Sequence, residues 1–352
     1  MKSGMTLVEL AEEIQRQQAT KRDFIAPSKE LVMEPLNCQL RINGHGCFPM
    51  TTIAEEQIAS RIGIPQKYYD RMKVSSYKLL AENVNHWFGE DNDKRLIRTL
   101  DGTARAFLSD RYRPLDHMDM AEAVMPLIAK PGFTVESAEL TQKRLYIKVV
   151  TSRITAEIGV GDVVQAGIVI SNSEVGMGSV KVEPLVYRLV CRNGAIINDL
   201  AMRQAHIGRS TGNGDIAEQF FRDDTRQADD KAFWMKIRDV VEGTFSEVVF
   251  GRIVKKMKDA AARIIDAEVV KVVEVVKREH ALTADVGGGV LNYLIKGGDF
   301  SQYGLGNAIT RVSQDVHDYD QATELERLGG DVCSQDGGWW KGLMDAARDN
   351  RN

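Results

Sequence analysis

The stretch LIRTLDGTARAFL, Leu96–Leu108, holds two short apolar runs on either side of Asp101-Gly102. Asp-Gly between alternating apolar residues is the strongest short-range signal for a β-hairpin, because its tight turn needs positive φ at both central positions. The signal starts a strand-rich middle. Downstream, Met118 to Ile128 has helix spacing, then Val135–Leu140 and Leu145–Val150 show strand alternation. Val163–Ser171, Ser179–Val182 and Val186–Cys191 complete an expected antiparallel sheet, and SEVGMGS supplies the glycines of a tight turn.

Outward from this core the pattern turns helical. On the N-terminal side, Leu7, Leu10, Ala11 and Ile14 repeat at helix spacing. A Pro/Gly/Cys-rich connector from Pro35 to Pro49 follows. Thr51 or Thr52 then caps a helix that Gly63 and Pro65 break, with Glu55 at capping-box distance from Thr52. Helices through Tyr69 and Met72, and through Leu79 to Phe88, complete this part. On the C-terminal side, Asp230 to His280 reads as one long stretch or two helices divided near Gly251. GGG at 287–289 and KGGD at 296–299 read as loops, and a last helix is expected from Gly306 to Val316. The expected class is therefore α+β: a helical region over 1–93, a core with an antiparallel sheet over 94–213, and a helical region over 214–352.

The chain has 352 residues, a net charge of −4, 43% apolar and 27% charged residues, ordinary globular values that exclude dominant disorder. No apolar run reaches the roughly 20 residues that span a bilayer, and the first helix carries Glu9, Glu12 and Glu13 where a signal peptide would be apolar. Four scattered cysteines suit reduced thiols, so a cytoplasmic location and no membrane partner are expected. Charge is uneven: Lys94 to Arg209 holds 16 Lys+Arg against 12 Asp+Glu. A basic middle in an acidic chain suits an anionic partner.

Motifs for bond-making chemistry are sparse. There is no phosphate-binding loop signature and no nucleophile elbow. Cys38, His45 and Cys47 lack paired zinc spacing, and Asp223, Asp224, Asp229 and Asp230 read as a solvated helix start, so neither a metal nor a cofactor is expected. If the chain were an enzyme acting on nucleic acid, Asp110, Asp116 and Cys191 would be its candidates, with His206 fifteen residues beyond the cysteine; a structural Cys191 is the expectation.

Two basic sets remain. In RAFLSDRYRPLD, Arg105, Arg111 and Arg113 flank Tyr112, with Asp110 and Asp116 alongside. Arginine forks suit phosphates and tyrosine stacks on bases; the other reading is an internal Arg–Asp network. On the expected sheet, Lys143, Arg144, Lys148, Arg153, Lys181, Arg188 and Arg192 are interleaved with Tyr146 and Tyr187. Alternation puts Tyr146 and Lys148 on one face, as a single-strand path requires; solvated strand residues are the alternative.

The runs RTLDGTARAFLSDRYRPLD, SNSEVGMGSVKVEPLVYRLVCRNGAI and YGLGNAITRVSQDVHDYDQATELERLGG resemble the phage- and plasmid-borne family called domain of unknown function 932, as do IASRIGIPQKYYDRMK and LLAENVNHWF. The resemblance implies a phage, prophage or plasmid context and carries over no catalytic residues. The order of helix and hairpins over 118–210 is similar to the core of phage single-strand annealing proteins, a likeness of fold only. The expected function is thus single-stranded DNA binding or annealing in recombination or replication, without cofactor. Arg105, Arg111, Tyr112, Arg113, Lys143, Arg144, Tyr146, Lys148, Lys181, Arg188 and Arg192 are the expected contacts. The alternative is an interaction module for a host or phage protein, such as an inhibitor of host defence. Open sheet edges suggest a homo-oligomer.

Overall fold

The structure, a computed structural model, describes residues 1–112, 114–198 and 223–349. It is α+β, with helices before and after the strands. The Asp101-Gly102 hairpin forms as its sequence requires. Asp101 has φ 50° and Gly102 φ 73°, and Leu100 pairs with Thr103 across a two-residue turn. Its strands β5 (Lys94–Leu100) and β6 (Thr103–Ser109) join β1 (Arg22–Pro27) in a sheet ordered β1-β5-β6. This sheet spans the expected boundary at 93/94, since β1 comes from the N-terminal region.

The N-terminal region is less helical than its sequence suggests. Helix α1 (Leu7–Thr20) forms with the capping box of Thr6 and Glu9. After it come β1 and the short strands β2 (Leu31–Met33), β3 (Leu40–Ile42) and β4 (Gly46–Phe48); the last three make a small meander that starts just before the expected connector and runs through it. Three-residue strands show too little alternation to be read. Helices α2 (Thr52–Arg61), α3 (Gln66–Ser75) and α4 (Tyr77–Glu90) then pack on β5 and β6 through Ile58, Tyr69, Leu80, Val84, Ile97 and Phe107. Thr51 caps α2, and Glu55 pairs with Lys73 at 2.5 Å instead of closing a capping box.

Helix α5 (His117–Ile128) leads into the large sheet. This is a five-stranded antiparallel meander of β7 (Phe133–Leu140), β8 (Leu145–Glu157), β9 (Val163–Asn172), β10 (Lys181–Arg188) and β11 (Asn193–Ile196). The segments expected as strands at 179–182 and 186–191 are one strand, β10, running through Pro184. That proline lacks a donor on the β11 side. The pairing with β11 starts only at Leu185, and Ile197 N donates to the Pro184 carbonyl at 2.8 Å, so no donor is missed there.

Alternation along β8 decides what each face meets. Leu145, Ile147 and Val149 face α1, α5 and α6 (Asp223–Thr244), packing with Leu10, Val124, Phe233 and Ile237. Tyr146 and Val150 face the opposite way, together with Val169, Leu185 and Tyr187, against Tyr319. Tyr319 opens α11 (Tyr319–Ser334), so both faces of the large sheet are covered.

The C-terminal helices are α6, α7 (Glu247–Ala261), α8 (Val269–Glu279), α9 (Ala284–Gly297), α10 (Gln302–Val312), α11 and α12 (Gly337–Asp349). Three expectations fail in this region: the helix expected as the last, from Gly306 to Val316, is α10, and α11 and α12 follow it. Gly251 lies inside α7, and the stretch from Asp230 to His280 is divided not near it but at Phe245-Ser246 and again over 262–268, giving three helices. The GGG expected as a loop sits inside α9, where a Cβ on Gly289 would lie 3.1 Å from Val312 Cγ2 of α10. Close helix packing, not turning, explains that glycine. Gly330 of α11 approaches the β11 backbone so closely that a Cβ there would be 2.0 Å from Ile196 O.

Lys148 of β8 and Glu326 of α11 form the central ion pair of this docking. Both are fully buried and 2.6 Å apart. Ser313 Oγ lies 3.4 Å from the other carboxylate oxygen, and the Lys148 ammonium lies 4.5 Å from the Tyr319 ring centroid. Burial lowers the Lys148 pKa and the carboxylate opposes that. Removing one partner leaves a buried charge uncompensated, at a cost of about 3–5 kcal/mol. Glu326→Ala should therefore destabilise the chain by about that much in urea unfolding, and adding Lys148→Met should recover most of the loss. An unchanged midpoint in Glu326→Ala would show that the pair does not hold α11 to the sheet.

Candidate functional site

The segment Ser173–Met177, just after β9, is met by three other parts of the chain. Tyr112 donates through its hydroxyl to the Ser173 carbonyl at 3.3 Å. Ser173 Oγ donates to the Lys143 carbonyl at 2.8 Å, in the β7–β8 turn. Arg144 donates to the Met177 carbonyl. Gln57 of α2 donates to the Val175 carbonyl at 2.8 Å and accepts from Phe107 N at 2.7 Å. This end of the large sheet thus meets the small sheet.

Glu174 is the only charged residue between Val163 and Val180, and it is buried. Its carboxylate pairs with Arg105 of β6, accepts from His117 N at 2.6 Å and lies 3.4 Å from Lys21 Nζ. Burial works to raise its pKa, but the His117 ring, Arg105, Lys21 and the His117 N–H outweigh this and hold it below the usual carboxylate range. Beside it, fully buried Arg98 binds Asp23 through Nε at 3.0 Å, Asp116 through Nη2 at 2.7 Å and the Glu174 carbonyl through Nη1 at 3.0 Å. Asp116 also pairs with Lys21 at 2.6 Å. An internal Arg–Asp network therefore exists here, built on Arg98.

Against this network lies a cavity of about 330 Å³, lined by Arg105, His117, Lys143 and Glu174 together with Thr103 and Thr141 among others. Among the described residues, the buried atoms Arg105 Nε, Asn172 Oδ1 and Arg144 Nη1 have no hydrogen-bond partner. Asn172 Nδ2 donates to the Leu115 carbonyl at 2.7 Å and lies 3.1 Å from His117 Nδ1. A donor at that position assigns Nδ1 as acceptor and leaves the proton of neutral His117 on Nε2.

Of the expected contacts, Arg105, Tyr112, Lys143 and Arg144 meet at this segment, with exposed Arg111 beside Tyr112. Arg113 lies outside the described residues. The remainder do not join them. Tyr146 and Lys148 share a face as expected, but that face is covered: the Tyr146 hydroxyl bonds Asp320 at 2.8 Å, and Lys148 is held by Glu326. Lys181 is half-buried and lines a separate cavity of about 730 Å³ beside α11. Arg188 pairs with Asp162 at 2.5 Å and lies over the Tyr303 ring. Arg192 is exposed in the β10–β11 turn with φ 49°. The sheet face is not an open basic-aromatic platform in this structure.

The residues expected to serve an enzyme are dispersed. Asp116 is neutralised by Arg98 and Lys21, and Asp110 lies 3.4 Å from Ser109 Oγ. Cys191 is half-buried, with Arg188 Nη1 3.4 Å from its sulfur. His206 and the aspartates at 223 and 224 lie outside what is described of side chains. Among the described residues, no group of three or more His, Cys, Asp or Glu is placed to hold a metal ion, and no helix is long and apolar enough to cross a membrane. Sequence reasoning missed Glu174, His117, Lys21 and Arg98. A lone acid in an uncharged stretch was the signal for Glu174.

Residues 106–277 match the model of a family described as Domain of unknown function (DUF932). The match runs from β6 into α8, so it contains Tyr112, His117, Lys143, Arg144 and Ser173–Met177 but stops one residue short of Arg105. No curated protein and no solved structure was found to match the chain.

The buried imidazole gives this site a pH signature. Burial lowers the His117 pKa from 6.5 to about 4, and the Glu174 carboxylate only partly offsets that. Between pH 6.5 and about 4 the unfolded chain takes up a proton that the folded chain refuses, so stability falls as pH drops through that window. The full effect is about 3 kcal/mol. Urea midpoints across this range should fall for the native chain and flatten in His117→Gln. Equal slopes in the two proteins would mean that His117 is not buried neutral.

Proposed function

We propose that this chain binds single-stranded nucleic acid, foremost DNA, and serves recombination or replication in a phage, prophage or plasmid within the cytoplasm. The strand passes over the Ser173–Met177 end of the large sheet, not across its face. The observation that carries this reading is the convergence of Arg105, Tyr112, Lys143 and Arg144 on one loop end beside a polar cavity, with exposed Arg111 next to Tyr112 in the chain. Cations on loops held by a rigid sheet can neutralise phosphates while the loops adapt to the strand. The reading invokes no bond making and so no cofactor.

Self-association remains part of the proposal, with a narrower basis. The β7 edge is bridged by Met5, whose N–H donates to Ala138 O at 2.6 Å, and Gly330 of α11 closes on β11. The β1 edge, with exposed Ile25, is the better candidate for pairing with a second copy. A second function, as a docking module for a host or phage protein, draws on exposed Tyr68, Val74, Tyr77, Leu79 and Trp87 of α3 and α4.

Fluorescence anisotropy with single- and double-stranded oligonucleotides over a salt series separates these readings. Each phosphate that a cation neutralises adds about 0.7 to the salt slope of single-strand binding. Arg111→Ala with Lys143→Ala should thus flatten the slope by about 1.4 and leave the melting temperature nearly unchanged, because both side chains are exposed. Absence of salt-dependent binding in the native chain, with recovery of a host protein instead, would favour the docking module.

A further inference from the structure

We infer that the cavity against Glu174 holds a phosphate monoester, so that the site takes the phosphorylated end of a strand. This rests on the binding reading above. Arg105 is nine-tenths buried in the cavity lining. Its Nη2 is occupied by Glu174, but its Nε–H is enclosed and has no acceptor among the described residues. An unpaired buried guanidinium donor is a costly arrangement that an anionic oxygen would resolve. Lys143, whose side chain is exposed, lines the same space, so the lining offers two cations to a group that enters it. The two acids of the lining, Glu174 and Asp101, are already met: Glu174 by Arg105, Lys21 and the His117 N–H, and Asp101 by Arg16 and the Thr20 hydroxyl.

Size and charge select an end over an interior phosphate. At about 330 Å³ the cavity is near the lower limit of small-ligand pockets, room for one nucleotide-sized group. A terminal phosphate carries about −1.5 to −2 charges, more than the single charge of an internal diester. Guanidinium and ammonium donors suit such a group. A free nucleoside monophosphate presents the same chemistry.

The test uses the full chain and three labelled short single strands: 5′-phosphorylated, 3′-phosphorylated, and hydroxyl at both ends. Adenosine monophosphate and inorganic phosphate serve as competitors. One phosphorylated strand should bind about tenfold more tightly than the hydroxyl-ended one, and adenosine monophosphate should erase that difference. Lys143→Glu should abolish the preference without lowering the melting temperature. Arg105→Lys, which keeps a cation for Glu174 but removes Nε–H, should also abolish it. Equal affinity for all three strands overturns the inference and leaves strand binding standing. Competitor binding without strand binding overturns strand recognition and makes the cavity a free-nucleotide site. Binding of nothing overturns both. A preference that survives both variants removes the phosphate from this cavity.

Discussion

A buried carboxylate has to be met by donors or it will not stay charged, and Glu174 imposes that requirement on the seam of this molecule. Its partners come from the end of α1, from β6 and from the first turn of α5, where free N–H groups and the helix dipole favour an anion. Arg98 repeats the logic with reversed sign, drawing Asp23, Asp116 and the Glu174 carbonyl around a fully buried guanidinium. Segments more than fifty residues apart in sequence are thereby fixed against one another. The cavity and its cationic rim follow from that arrangement.

The second buried pair, Lys148 with Glu326, sets where binding chemistry can lie. It draws α11 onto the large sheet and encloses Tyr146 and Tyr187 behind Tyr319. A sheet with both faces packed offers its ends and loops to a ligand. The β7–β8 turn and the β9–β10 loop form one such end, and Tyr112 and Arg111 lie beside it.

The fold was legible where local chemistry decides structure. Asp101-Gly102 requires a tight hairpin, Leu10 and Ile14 require a helix packed on one side, and the alternation of β8 survives in the sheet. It was illegible where partners come from far away. Lys148 has the composition of a solvated strand residue, and only Glu326, 178 positions later, makes it a core residue. The glycines at 287–289 look like a loop until Lys277 is packed against Gly287 and Val312 against Gly289. The strands between Leu31 and Phe48 are too short to carry a period. For the site, the Arg-rich run pointed to the right part of the chain. It did not distinguish Arg105, which is buried against Glu174, from Arg111, which is exposed.

The most direct measurement of the central claim is amide hydrogen exchange on the full chain, with and without a short single-stranded oligonucleotide. Binding at the sheet end predicts added protection in residues 109–116, 141–144 and 173–178, with little change in the already protected strands β8–β10. Protection that falls instead on α3 and α4, or no change anywhere at saturating oligonucleotide, would contradict it.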